Sequence, residues 1–197
     1  MIRRILPIAS LALSLSLIFV RASSAATAII VSVPDQRLML VQDGVKKGKV
    51  YPVSTSRFGL GDRPRSYATP LGELQVASKI GDAAQPGTVF RGLRPTGEVL
   101  QPNTPGRDPI VTRIMTLRGL QPQNAHASCR GIYIHGTPEE RLIGRPASYG
   151  CIRMRSKDVV KVFEETPVGT KVEIVNAPLS NTVKALQEQG GKAGSAS

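Results

Sequence analysis

Residues 132–137 read Ile132-Tyr133-Ile134-His135-Gly136-Thr137, and residues 148–154 read Ser148-Tyr149-Gly150-Cys151-Ile152-Arg153-Met154. The first stretch is short, β-branched and aromatic, which predicts a strand whose last turn of chain carries a His-Gly pair. The second is a Gly-containing loop with a cysteine sixteen positions after that histidine. A cysteine reacts as its thiolate, and cationic neighbours or a helix start favour that form. Arg153, Arg155 and a helix predicted after Ser156 would supply positive potential. Gly150 permits a tight turn, from which its own amide and that of Cys151 could face a developing oxyanion. A strand-end histidine can meet a loop cysteine across a sheet and serve as its base. From these residues alone, an inert buried cysteine and a capping histidine stay equally open.

Working outward, the 197 residues carry 26 Lys+Arg against 14 Asp+Glu, a formal charge of +12. This length suits one ordinary domain. With 41% apolar residues the chain can build a core, and Gly and Pro together make about a sixth of it, which suits a loop-rich β globule. Two cysteines and two histidines exclude a disulfide-dense scaffold and a structural zinc site of the usual spacing. No metal or other cofactor is expected. Scattered basic residues, few aromatics and the compartment argue against nucleic acid.

Residues 1–26 read as a secretory signal: Arg3 and Arg4, an apolar run over residues 5–20, then Ala22-Ser23-Ser24-Ala25-Ala26. An uncleaved anchor is the alternative. Removing this segment takes the charge only from +12 to +9, so the basicity belongs mainly to the remainder. The protein is expected to be exported to the periplasm or cell envelope and to meet anionic polymers there.

Along the rest, residues 28–33 and 38–41 read as strands, with a hairpin signal at Asp43-Gly44 and a returning strand over 45–53. Residues 54–68 read as a loop, 73–77 as a strand, and 81–109 as a long flap with short extended pieces near Val89-Phe90. Residues 110–117 and 131–134 are further strands. Ser156 reads as the cap of a helix with Asp158 in its first turn, an apolar stripe at Val159, Val160, Val162 and Phe163, and a stop at Pro167. Residues 171–175 form a closing strand, residues 183–186 a short helix, and residues 191–197 are expected to be disordered.

The spaced His-Gly and Ser-Tyr-Gly-Cys-Ile-Arg motifs resemble the L,D-transpeptidase catalytic domain, the YkuD family. Ile30-Val31-Ser32-Val33 with Gln36-Arg37-Leu38, Tyr51-Pro52-Val53-Ser54-Thr55, Thr69-Pro70-Leu71-Gly72 and Pro167-Val168-Gly169-Thr170-Lys171-Val172 resemble further landmarks of it. The resemblance implies a mainly β fold, an antiparallel β-sandwich with one main helix after the cysteine. It implies a signal at 1–26, a catalytic domain at 27–176 and a partly disordered extension at 177–197.

It further implies a cysteine-dependent acyltransferase acting on peptidoglycan stem peptides. Cys151 is the nucleophile, His135 the base, and Tyr149, Gly150 and Gly136 serve oxyanion stabilisation or orientation. Arg153 and Ser148 contact substrate or hold the loop, and carbapenem-type inhibitors are expected to acylate the cysteine. The family usually has His where this chain has Tyr149, which puts rate, pH profile and acceptor in doubt. An L,D-carboxypeptidase or related hydrolase, and an inactive peptidoglycan-binding module, are the alternatives. Cys129 reads as free or as a redox partner of Cys151, and His126 as a loop histidine. The oligomeric state is not legible.

Overall fold

The computed structural model describes residues 28–42 and 47–193. The stretch read as a signal and the hairpin expectation at Asp43-Gly44 lie outside the described residues. The elements run β1 (Ala28–Ser32), β2 (Arg37–Gln42), β3 (Lys47–Pro52), β4 (Gly72–Ile80), β5 (Thr88–Arg91), β6 (Arg94–Val99) and β7 (Ile110–Gly119). There follow β8 (Tyr133–Gly136), β9 (Ile152–Met154), α1 (Ser156–Glu165), β10 (Lys171–Val175) and α2 (Leu179–Ala193).

The fold is mainly β, as the sequence predicts. The ten strands of the described residues join one curled sheet, in the order β3-β2-β1-β10-β4-β7-β5-β6, with β8 paired to β7 and β9. Most pairs are antiparallel, but β1 runs parallel to β10 and β8 parallel to β9. Such parallel pairs need a long crossover, and local hairpin signals do not reveal them. The 81–109 segment contains the β5–β6 hairpin, which is more regular than a flap with isolated extended pieces.

Strand alternation decides what faces the core. Ile29 and Val31 of β1 join the main core, together with Leu38, Ile134 and Phe163. Ile30 faces the other way, against Met39, Val41 and Leu179. That second face explains α2: Leu179 and Val183 cover it, and the Leu179 N–H donates to the Asp35 carboxylate at 2.7 Å, an acid at a helix start. The C-terminal helix is therefore longer than residues 183–186. It takes in Gly191 to Ala193, whereas residues 194–197 lie outside the described residues.

Helix α1 buries Val159, Val162 and Phe163 and ends one residue before Thr166-Pro167, where proline disfavours helical backbone. Ser156 is its first residue and Arg155 the cap position, without a side-chain cap. The Ser156 N–H donates instead to Glu140 Oε1 at 2.8 Å.

Candidate active site

The parallel register of β8 and β9 pairs Ile134 with Ile152 and His135 with Arg153. Since side chains alternate along a strand, Ile134, Ile152 and Met154 fall on the core face. Tyr133, His135, Cys151 and Arg153 fall on the opposite face. Cys151 immediately precedes β9, one register step from the Ile134–Ile152 pair, so Cys151 and His135 are diagonal neighbours on one face.

His135 is 5% exposed, and its Nδ1 lies 2.8 Å from the Gly136 carbonyl oxygen. A carbonyl only accepts, so Nδ1 carries the proton and Nε2 is left as the basic nitrogen. Burial pushes the ring pKa down to about 4; the bond to Gly136 works against this and the Arg153 charge works with it. The imidazole is neutral near pH 7.

A bulge in β7 sets this strand end. Val111 pairs with Gly136 and Ile114 with His135, leaving Thr112 and Arg113 as extra residues opposite the pair. Bulges of this kind re-aim side chains beside sites. Thr112 sits at φ +73°, unusual for a β-branched residue. Its Oγ1 accepts the Gly87 N–H at 2.9 Å and lies 2.7 Å from Ser156 Oγ, contacts that hold the conformation. A Cβ on Gly136 would lie 2.6 Å from the Val111 oxygen and 3.1 Å from Thr112 Cβ. Gly136→Ala is therefore expected to lose about 1–3 kcal/mol in urea denaturation; an unchanged midpoint would show that β7 yields freely.

The cysteine loop is ordered from inside. Ser148 is fully buried, and its hydroxyl donates to the Cys151 oxygen at 2.6 Å while accepting the Gly150 N–H at 3.2 Å. Gly150 takes φ +116°, and its carbonyl accepts from Thr69 Oγ1 at 3.0 Å. Ser148 thus braces the loop and offers substrate no surface. The Gly150 amide is spent on that brace instead of facing an oxyanion.

Cys151 Sγ lies 3.3 Å from the Gly131 oxygen. Burial pushes its thiol up, against the Tyr133 backbone N–H and the charges of Arg153 and Arg130, which favour the thiolate. The positive potential expected from Arg153 does favour the thiolate, but two features limit it. Burial outweighs the cations, and the α1 start is capped by Glu140. Near pH 7 the thiol and the imidazole on this face are both neutral.

Arg153, 6% exposed, pairs with Asp108 at 2.7 Å, and Thr137 Oγ1 donates to the other Asp108 oxygen at 3.0 Å. Tyr149 is 48% exposed and its hydroxyl accepts from Arg57. Arg130 pairs with Asp62 at 2.5 Å and donates to the carbonyls of Gly61, Ser66 and Ala68, stitching the 57–68 loop to the turn before Tyr133. His126 belongs to the same turn; its backbone N–H donates to Asp62 at 2.6 Å. Cys129 and Cys151 are both free thiols, Cys129 exposed. Among the described residues no three His, Cys, Asp or Glu side chains gather as metal ligands. Asp108, Asp62, Arg130 and Arg57 escaped the sequence reading because each reaches its partner across distant chain, with no motif to mark it.

Comparison with known proteins supplies the lineage. A family model described as the L,D-transpeptidase catalytic domain, YkuD, matches residues 26–174. The probable L,D-transpeptidase ErfK/SrfK of Escherichia coli is 30% identical over 159 residues, covering 79% of this chain and 46% of that protein. Its Salmonella typhimurium counterpart is 28% identical over 163 residues, with 79% and 46% covered. The chain thus spans about half the length of these relatives. Among solved structures, L,D-transpeptidase 3 from Mycobacterium tuberculosis with a faropenem-derived adduct aligns over 76% of this chain and 60% of its own, at 20% identity and a TM-score of 0.47. The match across residues 26–174 places this chain in the YkuD family of L,D-transpeptidase catalytic domains.

Proposed function

We propose that this protein is a peptidoglycan L,D-transpeptidase that forms 3→3 cross-links through a thioester on Cys151. The observation that carries the reading is the shared face of Cys151 and His135, with the His135 Nδ1 proton held by Gly136. The carbonyl of Gly136 then does for the imidazole what an acid does in a triad, fixing the tautomer.

His135 Nε2 takes the Cys151 proton as Sγ attacks the carbonyl between the L-centre of the diamino acid and the terminal D-Ala. The oxyanion is met by the loop amides of Tyr149 and Cys151, since the Gly150 amide is held by Ser148. Collapse breaks the C–N bond, and His135 returns the proton to the departing D-Ala amine. The amine of a second stem peptide attacks the thioester, giving its proton to His135 as the Cys151 sulfur leaves and is reprotonated. Arg153, buried against Asp108, holds the strand end in preference to reaching for substrate. The N-terminal sequence pattern supports action outside the cytoplasm; among the described residues no helix is long and apolar enough to cross a membrane.

The test is incubation with disaccharide-tetrapeptide, followed by mass analysis. Cross-linked dimers with release of D-Ala are expected, together with a carbapenem adduct on Cys151, both absent in Cys151→Ala. Tripeptide without dimer would make water the acceptor and the protein a carboxypeptidase. Neither product and no adduct would leave the inactive module.

A further inference from the structure

Phe58, Tyr67 and Tyr149 are large aromatic residues exposed to 50%, 58% and 48%, yet they touch one another. Their ring centroids stand 5.5, 5.4 and 5.6 Å apart, with Tyr67 edge-on to Tyr149. A lone exposed ring needs no explanation, but a contiguous patch marks a place where something docks.

The patch is fixed from beneath. Ser56, 5% exposed, accepts the Phe58 N–H at 2.9 Å and donates to the Tyr67 carbonyl at 2.5 Å. Arg130 holds the carbonyls on either side of Tyr67. Arg57 lies 4.9 Å over Phe58 and 4.6 Å over Tyr149. Tyr67 and Tyr149, though not Phe58, line a cleft of about 660 Å³ that Arg65, Ser66 and Arg130 also border, a size that ligand sites commonly have. The rim is cationic: Asp62, the one acid in residues 54–68, is buried and paired with Arg130.

A ligand for this surface must bring apolar C–H faces to electron-rich ring faces and carry polar or anionic groups at its edge. A β-1,4-linked N-acetylhexosamine does both, with C–H bonds on its two faces and hydroxyl, acetamido or carboxylate groups around its rim. We propose that Phe58, Tyr67 and Tyr149 form a saccharide subsite that stacks the sugar bearing the donor stem peptide; Tyr149 stands two positions before Cys151 in sequence. The inference rests on the transpeptidase reading and adds a glycan contact to it.

The experiment uses the β-1,4-linked N-acetylglucosamine tetramer and glycan strands stripped of peptide by an amidase, titrated into the full chain by calorimetry and tyrosine fluorescence. Wild type is expected to bind both. Phe58→Ala and Tyr67→Ala are expected to weaken binding about tenfold, the equivalent of one well-stacked ring, while Tyr67→Phe keeps it and thermal melts show all three folded. Lack of binding by wild type, or binding indifferent to Phe58→Ala and Tyr67→Ala, overturns the subsite. So does concentration-dependent self-association, without sugar, that those substitutions abolish. Wild-type turnover of a sugar-free tetrapeptide is measured alongside. Turnover without sugar binding removes only the subsite, and sugar binding without turnover removes only the transpeptidase reading.

Discussion

Acylation of Cys151 is expected to slow by about 10²–10⁴-fold in His135→Ala, the range for loss of a positioned general base. The effect is large because the resting thiol is protonated: burial pushes Cys151 up, so little thiolate exists without a base to make it. Rapid-quench measurement of the carbapenem adduct reads this step alone, and an unchanged rate would end the role given to His135.

The pH dependence follows from the same burial. With the folded ring at about 4, the base form persists well below the ordinary histidine range of 6.5. Wild-type acylation is therefore expected to lose its acid limb near pH 4, not near pH 6.5. The native state carries a matching cost. Between those two values the unfolded chain takes up a proton that the native ring refuses, so stability falls as pH drops through the window. The loss reaches about 3 kcal/mol at its lower end. Subtracting the urea denaturation of His135→Ala from that of wild type at pH 7 and pH 4.5 isolates this term, since the carboxylates titrate in both.

The largest stability effect is expected at Asp62. Its side chain is 3% exposed and that of Arg130 5%, at 2.5 Å. Asp62→Ala leaves the guanidinium buried without its counter-charge and the His126 N–H without its acceptor, at a cost of about 3–5 kcal/mol. Because Arg130 also favours the Cys151 thiolate and holds the carbonyls of Ser66 and Ala68, any movement of that side chain loosens both the loop and the thiol. The double change Asp62→Ala with Arg130→Met removes the unpaired charge and is expected to recover part of the loss. A single variant within 1 kcal/mol of wild type would show that Arg130 finds water on its own.

What could be read in advance was what is local. The β-branched run of β1, the alternation of β7, the apolar stripe of α1 and the His-Gly strand end are each written in consecutive residues. So was the spacing of His135 and Cys151, which the β8–β9 register turns into a shared face. What eluded reading depends on pairing across distance. Asp108 meets Arg153 from inside the Pro-rich 81–109 segment, and the β7 bulge leaves no composition signal. Cys151 illustrates the difficulty sharply: its cationic neighbours are visible in the sequence, but the burial that outweighs them is not.

The parallel pairing of β1 with β10 has a consequence in time. Among the described residues, β10 stands in the sheet order between the β1–β3 ribbon and the β4–β9 remainder. Ladder pairing of the two parts through β10 needs residues 171–175, although Ser54 also bridges Arg153 directly. Pairings of such long sequence separation slow folding. A chain stopped after α1 holds Cys151 and His135 already, yet lacks the strand that joins their sheet to its other half. The sheet that carries the site is thus joined to its other half by a strand that follows all of the site's own residues in the sequence.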